Sequence, residues 1–266
     1  AALFHALAGL SGVPILIEDE DPDMIVAAVR AIAPTFGAIQ LEDIRAPECF
    51  EIEERLREAL DIPVLHDDQH GTAVVALAGF LSGMRKVGLD VSQAMVGQVG
   101  LGAAGIGIGR LLKAYGVGHL LGADLNADAV AQFESFGGEG ATLDEVMARA
   151  DVVIATTGVR GLIQPAMVRE GQVIFALSNP DPEIEPVEAL AAGARFAADG
   201  KNINNVLGFP GLFRGALEAG ATHFSEAMLI AAAETLSALA PEGKLVPDPL
   251  DRSVHDAVAA AVRGVV

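Results

Sequence analysis

The sequence predicts an α/β fold built around a Rossmann-like, doubly wound parallel sheet. Short apolar runs of strand length alternate with alanine-rich stretches of helical period, which is typical of α/β proteins. Aromatic residues make up only 5% of the 266 residues, so small aliphatic side chains must fill the core. A glycine-rich turn, Gly100 to Gly105, separates a predicted strand, Ala94 to Val99, from a predicted helix, Ile106 to Tyr115. A chain of this length corresponds to one large or two moderate domains.

The segments before the glycine turn are predicted to alternate between strands and helices. In chain order they are an apolar helical pattern over 1–10, a buried strand Val13 to Ile17, a helix Asp23 to Ile32, a strand Gly37 to Leu41, a helix Pro47 to Leu60, a short strand Pro63 to His66 and an apolar helix Thr72 to Lys86. Glu42-Asp43 and Asp67-Asp68 directly follow two of these strands. Ligands of open parallel sheets bind beyond the carboxyl ends of strands, so both acidic pairs fall where a site is expected.

The segments after the turn continue the same alternation. The predicted elements are strands His119 to Ala123, Val152 to Ala155, Val173 to Leu177 and Arg195 to Ala198, then helices Phe224 to Leu239 and Arg252 to Val262. Polar residues follow three of these strands: Asp124, Thr156-Thr157-Gly158, and Ser178-Asn179-Pro180. They would lie at the same sheet edge as the glycine turn.

The composition argues against several classes of binding partner. The net charge of −19 disfavours nucleic acid and anionic membranes, which both require a positive surface. The sequence contains neither a signal-peptide pattern nor an apolar run of spanning length, so we expect a cytoplasmic protein. Cys49 is the only cysteine, which rules out an intrachain disulfide and favours an inert packed thiol over a nucleophile.

The glycine turn predicts a dinucleotide site, although the motif alone is equally compatible with close packing. The predicted cofactor-binding residues are Gly100, Gly102, Ala103, Ala104, Gly105, Asp124, Thr156, Thr157 and Gly158. Gly100 would permit the tight turn, Gly102 the approach of the pyrophosphate, and Gly105 the contact of helix with sheet. Asp124 would accept hydrogen bonds from the adenosine ribose and repel a 2′-phosphate, favouring NAD over NADP. A capping role for Asp124 is the alternative, and Gly107 and Gly109 are assigned to packing.

The two acidic pairs predict either a divalent metal site or helix caps. Adjacent carboxylates repel one another, and Mg²⁺ or Mn²⁺ would remove that repulsion. Acidic residues after strands also cap helices, and Asp68 could cap the helix at Thr72. Spacing alone leaves these two readings open. Asn179 and Asn204-Asn205 indicate turns, and His66 and His70 are interpreted as structural histidines.

Several stretches together resemble the bacterial malic enzymes. The matching segments are Gln40 to Glu51, Pro63 to Ala73, Gly100 to Gly105, Ala176 to Pro182 and Asn204 to Gly211. Their order and spacing extend over the whole chain, and the first two are highly specific. The resemblance implies a dinucleotide domain at 67–204 and part of an α/β substrate domain formed by 1–66 and 205–266.

This resemblance implies a reaction and roles for individual residues. The reaction is oxidative decarboxylation of (S)-malate to pyruvate and CO₂, with NAD or NADP and Mg²⁺ or Mn²⁺. Glu42, Asp43 and Asp68 match metal ligands, and Asp67 matches a catalytic residue that supports the family's lysine. Asn179 and one of the pair Asn204-Asn205 match substrate-binding residues that hold the substrate carboxylate and the nicotinamide side. We also expect a homo-oligomer, either a dimer or a tetramer.

The sequence departs from the family pattern at its amino terminus. The family's catalytic lysine, in a Gly-Lys, and its tyrosine acid lie upstream of the segment that matches Ala1 to Phe4. None of the four lysines matches that position, and Tyr115, the only tyrosine, lies on the dinucleotide helix. We therefore expect a fragment of a longer malic enzyme with poor turnover by itself. A malolactic-type lyase and a non-catalytic dinucleotide-binding module are the alternatives.

Overall fold

The computed structural model describes residues 1–203 and 205–266. Asn204, one of the predicted substrate-binding residues, lies outside the described residues.

The amino-terminal region is a small α/β unit with its own core. Its elements are α1 (Pro22–Ile32), β1 (Ile39–Leu41), α2 (Glu48–Ala59) and β2 (Val64–His66). Asp21 caps α1 by accepting from the backbone N–H of Asp23, and Pro22 supplies a helical φ in the first turn. β1 and β2 pair in parallel, with Leu41 opposite His66, and α1 and α2 bury Val29, Ile52 and Leu56 against them.

The second unit is a doubly wound parallel sheet, which confirms the predicted fold class. Within the described residues it has six strands in the order β5-β4-β3-β6-β7-β8, all parallel. The elements are α3 (Asp67–Val87), β3 (Met95–Val99), α4 (Ala103–Tyr115), β4 (His119–Ala123), α5 (Ala127–Ser135), β5 (Glu139–Gly140), α6 (Leu143–Arg149), β6 (Val152–Ala155), β7 (Val173–Ala176), α7 (Pro186–Ala191) and β8 (Phe196–Asp199). The strand order reverses between β3 and β6. In such sheets the ligand crevice opens at this reversal.

Three carboxyl-terminal helices complete the fold: α8 (Phe209–Ala219), α9 (Glu226–Leu239) and α10 (Arg252–Arg263). They share one apolar core with α3, α4 and one face of the sheet. Helix α3 carries buried side chains around most of its circumference, as its apolar sequence indicates. The division into 1–66 with 205–266 and 67–204 stays a prediction. None of the helices described is long and apolar enough to cross a membrane.

Two local predictions need correction. Val13 to Ile17 is not a buried strand: no strand is assigned there, and Leu16 is 96% exposed. Pro14 lacks an N–H for a ladder bond, and among the described residues no strand pairs with this segment. The apolar helix begins at Asp67 rather than Thr72, so Asp67 and Asp68 lie in its first turn and not in a loop.

Four helices, α5, α6, α7 and α8, were not predicted. Two of them carry sequence signals that could have identified them. Asn126 caps α5 by accepting from the backbone of Asp128. Thr142 and Glu145 form a reciprocal capping box at the start of α6, a recognised signature of a helix start.

Burial of His255 predicts a loss of stability in acid. Burial lowers the pKa of His255, although a hydrogen bond to the Pro249 carbonyl acts in the opposite direction. The unfolded chain therefore binds a proton near pH 6.5 that the folded chain does not yet bind. The free energy of unfolding should fall as pH drops below this value, by at most about 1.4 kcal/mol per pH unit for this group.

Urea unfolding at several pH values checks this expectation. His255→Gln keeps a donor for the Pro249 carbonyl and removes the titration, so its stability should depend less on pH between about 6.5 and 5. His223→Gln, at an exposed position, is the matched control and should follow the wild type. Equal slopes for all three proteins would contradict the assignment.

Candidate active site

Both acidic pairs lie at the carboxyl ends of β1 and β2. Leu41 is opposite His66 in the parallel register, so Glu42-Asp43 and Asp67-Asp68 leave the sheet side by side. The backbone N–H of Asp43 donates to Oδ2 of Asp68 at 3.0 Å. Asp43 has φ of 58°, a left-handed conformation that Asp tolerates better than most residues. The loop after β1 is thus held against the first turn of α3.

The three carboxylates fit a hard divalent cation by charge and donor type. Burial, Asp43 and Asp68, in that order, raise the pKa of Glu42 above its ordinary value, while a hydrogen bond from Gln40 opposes this. A cation would relieve the mutual repulsion. Within the described residues, however, no group of three or more Asp, Glu, His or Cys side chains is already arranged to hold an ion. The convergence of Glu42, Asp43 and Asp68 on one ion stays a prediction.

Glu53, which the sequence analysis missed, fixes the start of α3. Its side chain is buried and accepts from the His66 backbone N–H at 3.0 Å, from Gln69 Nε2 at 3.1 Å and from His70 Nε2 at 3.0 Å. Burial alone would raise the pKa of Glu53, but the contacts with His70 and His66 outweigh it and lower the pKa. Glu53 follows Ile52 in the predicted amphipathic helix, which indicates its burial only weakly. The buried, hydrogen-bonded Glu53 carboxylate therefore lies next to the acidic cluster, which is formed by Glu42, Asp43, Asp67 and Asp68.

Asp67 and His66 occupy the buried side of this turn. Both are fully buried, and His66 Nε2 lies 3.5 Å from Asp68 Oδ2. Burial lowers the pKa of His66, even though Asp68 and Glu53 act to raise it. The structural reading of His66 and His70 agrees with these contacts, and the catalytic role of Asp67 stays a prediction.

The glycine turn between β3 and α4 has the geometry that its sequence predicts. Gly100 has φ of 86°, and a Cβ at Gly105 would overlap the Gly100 carbonyl oxygen. Gly102 has nothing within 4 Å of where a Cβ would be, so open space lies over the turn. Buried Gln98 supports the turn by donating to the Gly100 carbonyl at 3.1 Å and to Thr156 Oγ1 at 2.9 Å.

Asp124 follows β4 and already has two backbone partners. Its Oδ2 accepts from the Leu101 N–H at 2.7 Å, and its Oδ1 accepts from the Asn126 N–H at 2.8 Å. The carboxylate therefore contacts the glycine turn itself. Asp124 does not cap a helix, because Asn126 is the N-cap of α5, but it holds the glycine turn and the backbone before α5. Its carboxylate oxygens have further lone pairs, and its role toward the ribose stays a prediction.

The loops after β6 and β7 lie together at the other half of the crevice. Gly158 donates its N–H to Ser178 Oγ at 2.8 Å. Asn179 is exposed and donates from Nδ2 to the Gly200 carbonyl at 3.1 Å. Asn205 begins a short 3₁₀ turn, Asn205–Leu207, and its side chain lies outside the described part of the chain.

One close contact joins the acidic cluster to the dinucleotide unit. A Cβ at Gly107 on α4 would lie 2.5 Å from the carbonyl oxygen of Gln69, the residue after Asp68. A Cβ at Gly109 would similarly lie 2.6 Å from the ring of Phe133, so glycine leaves room for that ring. Both glycines permit close packing, as expected, but against helix α3 and Phe133 rather than against the sheet. Gly107 brings the first turn of α3 directly against the helix that follows the glycine turn.

Fold and site together define a Rossmann-like protein with two acidic pairs at strand ends and a crevice at the reversal of strand order. The malic enzyme N-terminal domain family matches residues 3–57. NAD-dependent malic enzyme 1 of Bacillus subtilis is 57% identical over 98% of this chain and 60% of its own length. The bifunctional malic/malolactic enzyme of the same organism is 41% identical over 98% of this chain and 70% of its own length.

Solved structures agree with these sequence relatives. The malic enzyme of Pyrococcus horikoshii superposes with a TM-score of 0.91 at 39% identity, covering 99% of this chain and 69% of that one. The NAD-dependent malic enzyme of Thermotoga maritima gives a TM-score of 0.91 at 33% identity, covering 99% of this chain and 76% of that one. The chain belongs to the malic enzyme family. It spans 60% of the length of the Bacillus subtilis NAD-dependent relative.

Proposed function

We propose that this chain forms the metal- and dinucleotide-binding part of an enzyme that converts (S)-malate to pyruvate and CO₂ with reduction of NAD. One observation carries the proposal: the Gly107 contact holds the acidic turn of α3 against the dinucleotide helix α4. A hydroxy acid at the carboxylates would therefore lie beside a cofactor at the glycine turn. The names of the relatives support the same substrate and cofactor class.

Each group of residues has a defined task in this proposal. Glu42, Asp43 and Asp68 would hold Mg²⁺ or Mn²⁺, and Glu53 keeps Asp68 in place by anchoring the backbone and side chains around it. Bound metal would polarise the 2-hydroxyl and stabilise the enolate charge, and bound NAD would accept the hydride. Asn179 would bind substrate from the loop after β7.

An activity assay tests this proposal directly. A protein that carries this chain, supplied with malate, NAD and Mn²⁺, is expected to form NADH, pyruvate and CO₂ in equal amounts. Lactate without net NADH would instead indicate the malolactic reaction, a candidate favoured by the name of the bifunctional relative. Absence of both products, in a protein with intact dinucleotide binding, would favour the non-catalytic module.

Asp124 is expected to make the site prefer NAD to NADP. A 2′-phosphate near this carboxylate would meet like charge, whereas ribose hydroxyls would find an acceptor. Asp124→Ser should therefore weaken NAD binding and narrow the difference between the two cofactors, as measured by calorimetric titration. Asp124→Asn keeps an oxygen acceptor for one backbone N–H, so comparison with Asp124→Ser separates the effect of the charge from that of the backbone hydrogen bonds. Tighter NADP binding by the wild type, unchanged in Asp124→Ser, would show that Asp124 serves only to hold the backbone of the glycine turn.

A further inference from the structure

Glu183 is a buried carboxylate that the proposed mechanism leaves without a task. Its side chain is fully buried in the segment between β7 and α7. Three donors converge on its Oε1: the Thr157 N–H at 2.6 Å, Thr157 Oγ1 at 2.8 Å and Ser178 Oγ at 2.6 Å. The other oxygen, Oε2, is buried and has no partner among the described residues.

Burying Glu183 in this way is not expected to increase the stability of the fold. A buried carboxylate loses its hydration, and apolar residues of similar volume often replace buried charges without loss of stability. Here one oxygen recovers hydrogen bonds and the other recovers none. A function in fixing the geometry of neighbouring groups is a better explanation, because short charge-assisted bonds hold their donors firmly.

The donors belong to the two loops that follow β6 and β7. Thr157 lies in the loop after β6 and Ser178 in the loop after β7. Ser178 Oγ also accepts a hydrogen bond from the Gly158 N–H, which lies in the first loop. The backbone of the Glu183 segment also pairs with the first loop, since Ile163 donates its N–H to the Glu183 carbonyl. Glu183 therefore holds donors from both loops, next to the direct bond between Gly158 and Ser178.

These loops belong to one half of the dinucleotide crevice. The glycine turn after β3 and Asp124 after β4 form the half that recognises adenosine ribose and pyrophosphate. The other nucleotide must then lie over β6, β7 and β8, across the reversal of strand order. The loops joined by Glu183 are on that side.

We propose that Glu183 is a positioning residue that fixes the nicotinamide half of the cofactor site by joining the Thr157-Gly158 loop to Ser178. This inference rests on the dinucleotide site proposed above. It predicts that loss of the carboxylate impairs recognition of the nicotinamide mononucleotide half and spares the adenosine half.

Calorimetric titration of the chain with NADH and with ADP-ribose, which lacks nicotinamide, tests the inference. Glu183→Gln is expected to weaken NADH binding about tenfold, as for loss of a hydrogen-bonded charge, and to change ADP-ribose binding less than about twofold. Glu188→Gln, at an exposed position on α7, removes the same charge and should bind both ligands as the wild type does. Ser178→Ala removes one donor to Glu183 and the acceptor of the Gly158 N–H without burying an amide, so it should also weaken NADH binding while sparing ADP-ribose.

The outcomes separate this inference from the proposed function. Equal weakening of both ligands by Glu183→Gln and by Ser178→Ala, or no weakening of NADH by either variant, would overturn the positioning role while leaving the dinucleotide site intact. A wild-type chain that binds neither ligand would overturn the dinucleotide site and the positioning role together.

Discussion

Gly105→Ala is expected to destabilise the fold and weaken dinucleotide binding, whereas Gly102→Ala should weaken only the binding. A Cβ at Gly105 would overlap the Gly100 carbonyl oxygen and approach Gln98 Nε2. Backbone must move to relieve this overlap, at an expected cost of about 3 kcal/mol or more. Gly102 has φ of −70° and ψ of −164°, which alanine can adopt, and its Cβ would enter open space.

The pair of variants separates packing from ligand recognition. Gly102→Ala should lower the free energy of unfolding by about 1 kcal/mol or less, the cost of replacing an N-cap glycine by alanine. The same methyl group would occupy the space that the pyrophosphate needs, so NADH affinity should fall about tenfold or more. Urea unfolding and calorimetric titration measure the two effects. Normal NADH binding by Gly102→Ala would place the pyrophosphate away from this turn.

The sequence predicted the dinucleotide unit well because its signals are local. The strand, the glycine turn and the helix follow one another directly in the sequence. The predicted strand His119 to Ala123 is the one observed. The predicted strand Val13 to Ile17 was wrong because its signal is not local. A branched apolar run indicates a strand only if another strand pairs with it, and partner availability depends on residues far away in the sequence.

The supporting residues of the site were less predictable. Glu53 and Glu183 are single carboxylates in charged segments, and the sequence offers no sign that each is buried at a junction of several backbone and side-chain donors. Their partners come from segments 13 to 17 residues away for Glu53 and up to 26 residues away for Glu183. Both acidic pairs were located correctly at the strand ends, yet α3 begins at Asp67, so Asp67-Asp68 lie in a helical turn rather than in a loop.

Asp68→Asn is expected to remove most of the metal affinity while preserving the fold. Asparagine keeps an oxygen that can accept from the Asp43 N–H, the bond that joins the loop after β1 to α3. It removes one of the three negative charges that interact at Glu42. Loss of a supporting partner alone typically costs 10–100-fold in metal affinity, so loss of this ligand charge should cost about 100-fold.

Mn²⁺ binding, followed by the electron paramagnetic resonance of the free ion, measures the Asp68→Asn effect without requiring catalysis. At a concentration of about 100 times its dissociation constant, Mn²⁺ should stabilise the wild-type chain by about 2.7 kcal/mol, and the variant should gain much less. Without metal, Asp68→Asn should be at least as stable as the wild type, since it relieves repulsion between carboxylates. Asp61→Asn, at an exposed position between α2 and β2, is the charge-matched control and should bind Mn²⁺ normally. Wild-type Mn²⁺ affinity in Asp68→Asn, together with reduced stability in the absence of metal, would show that Asp68 serves only to hold the loop against α3.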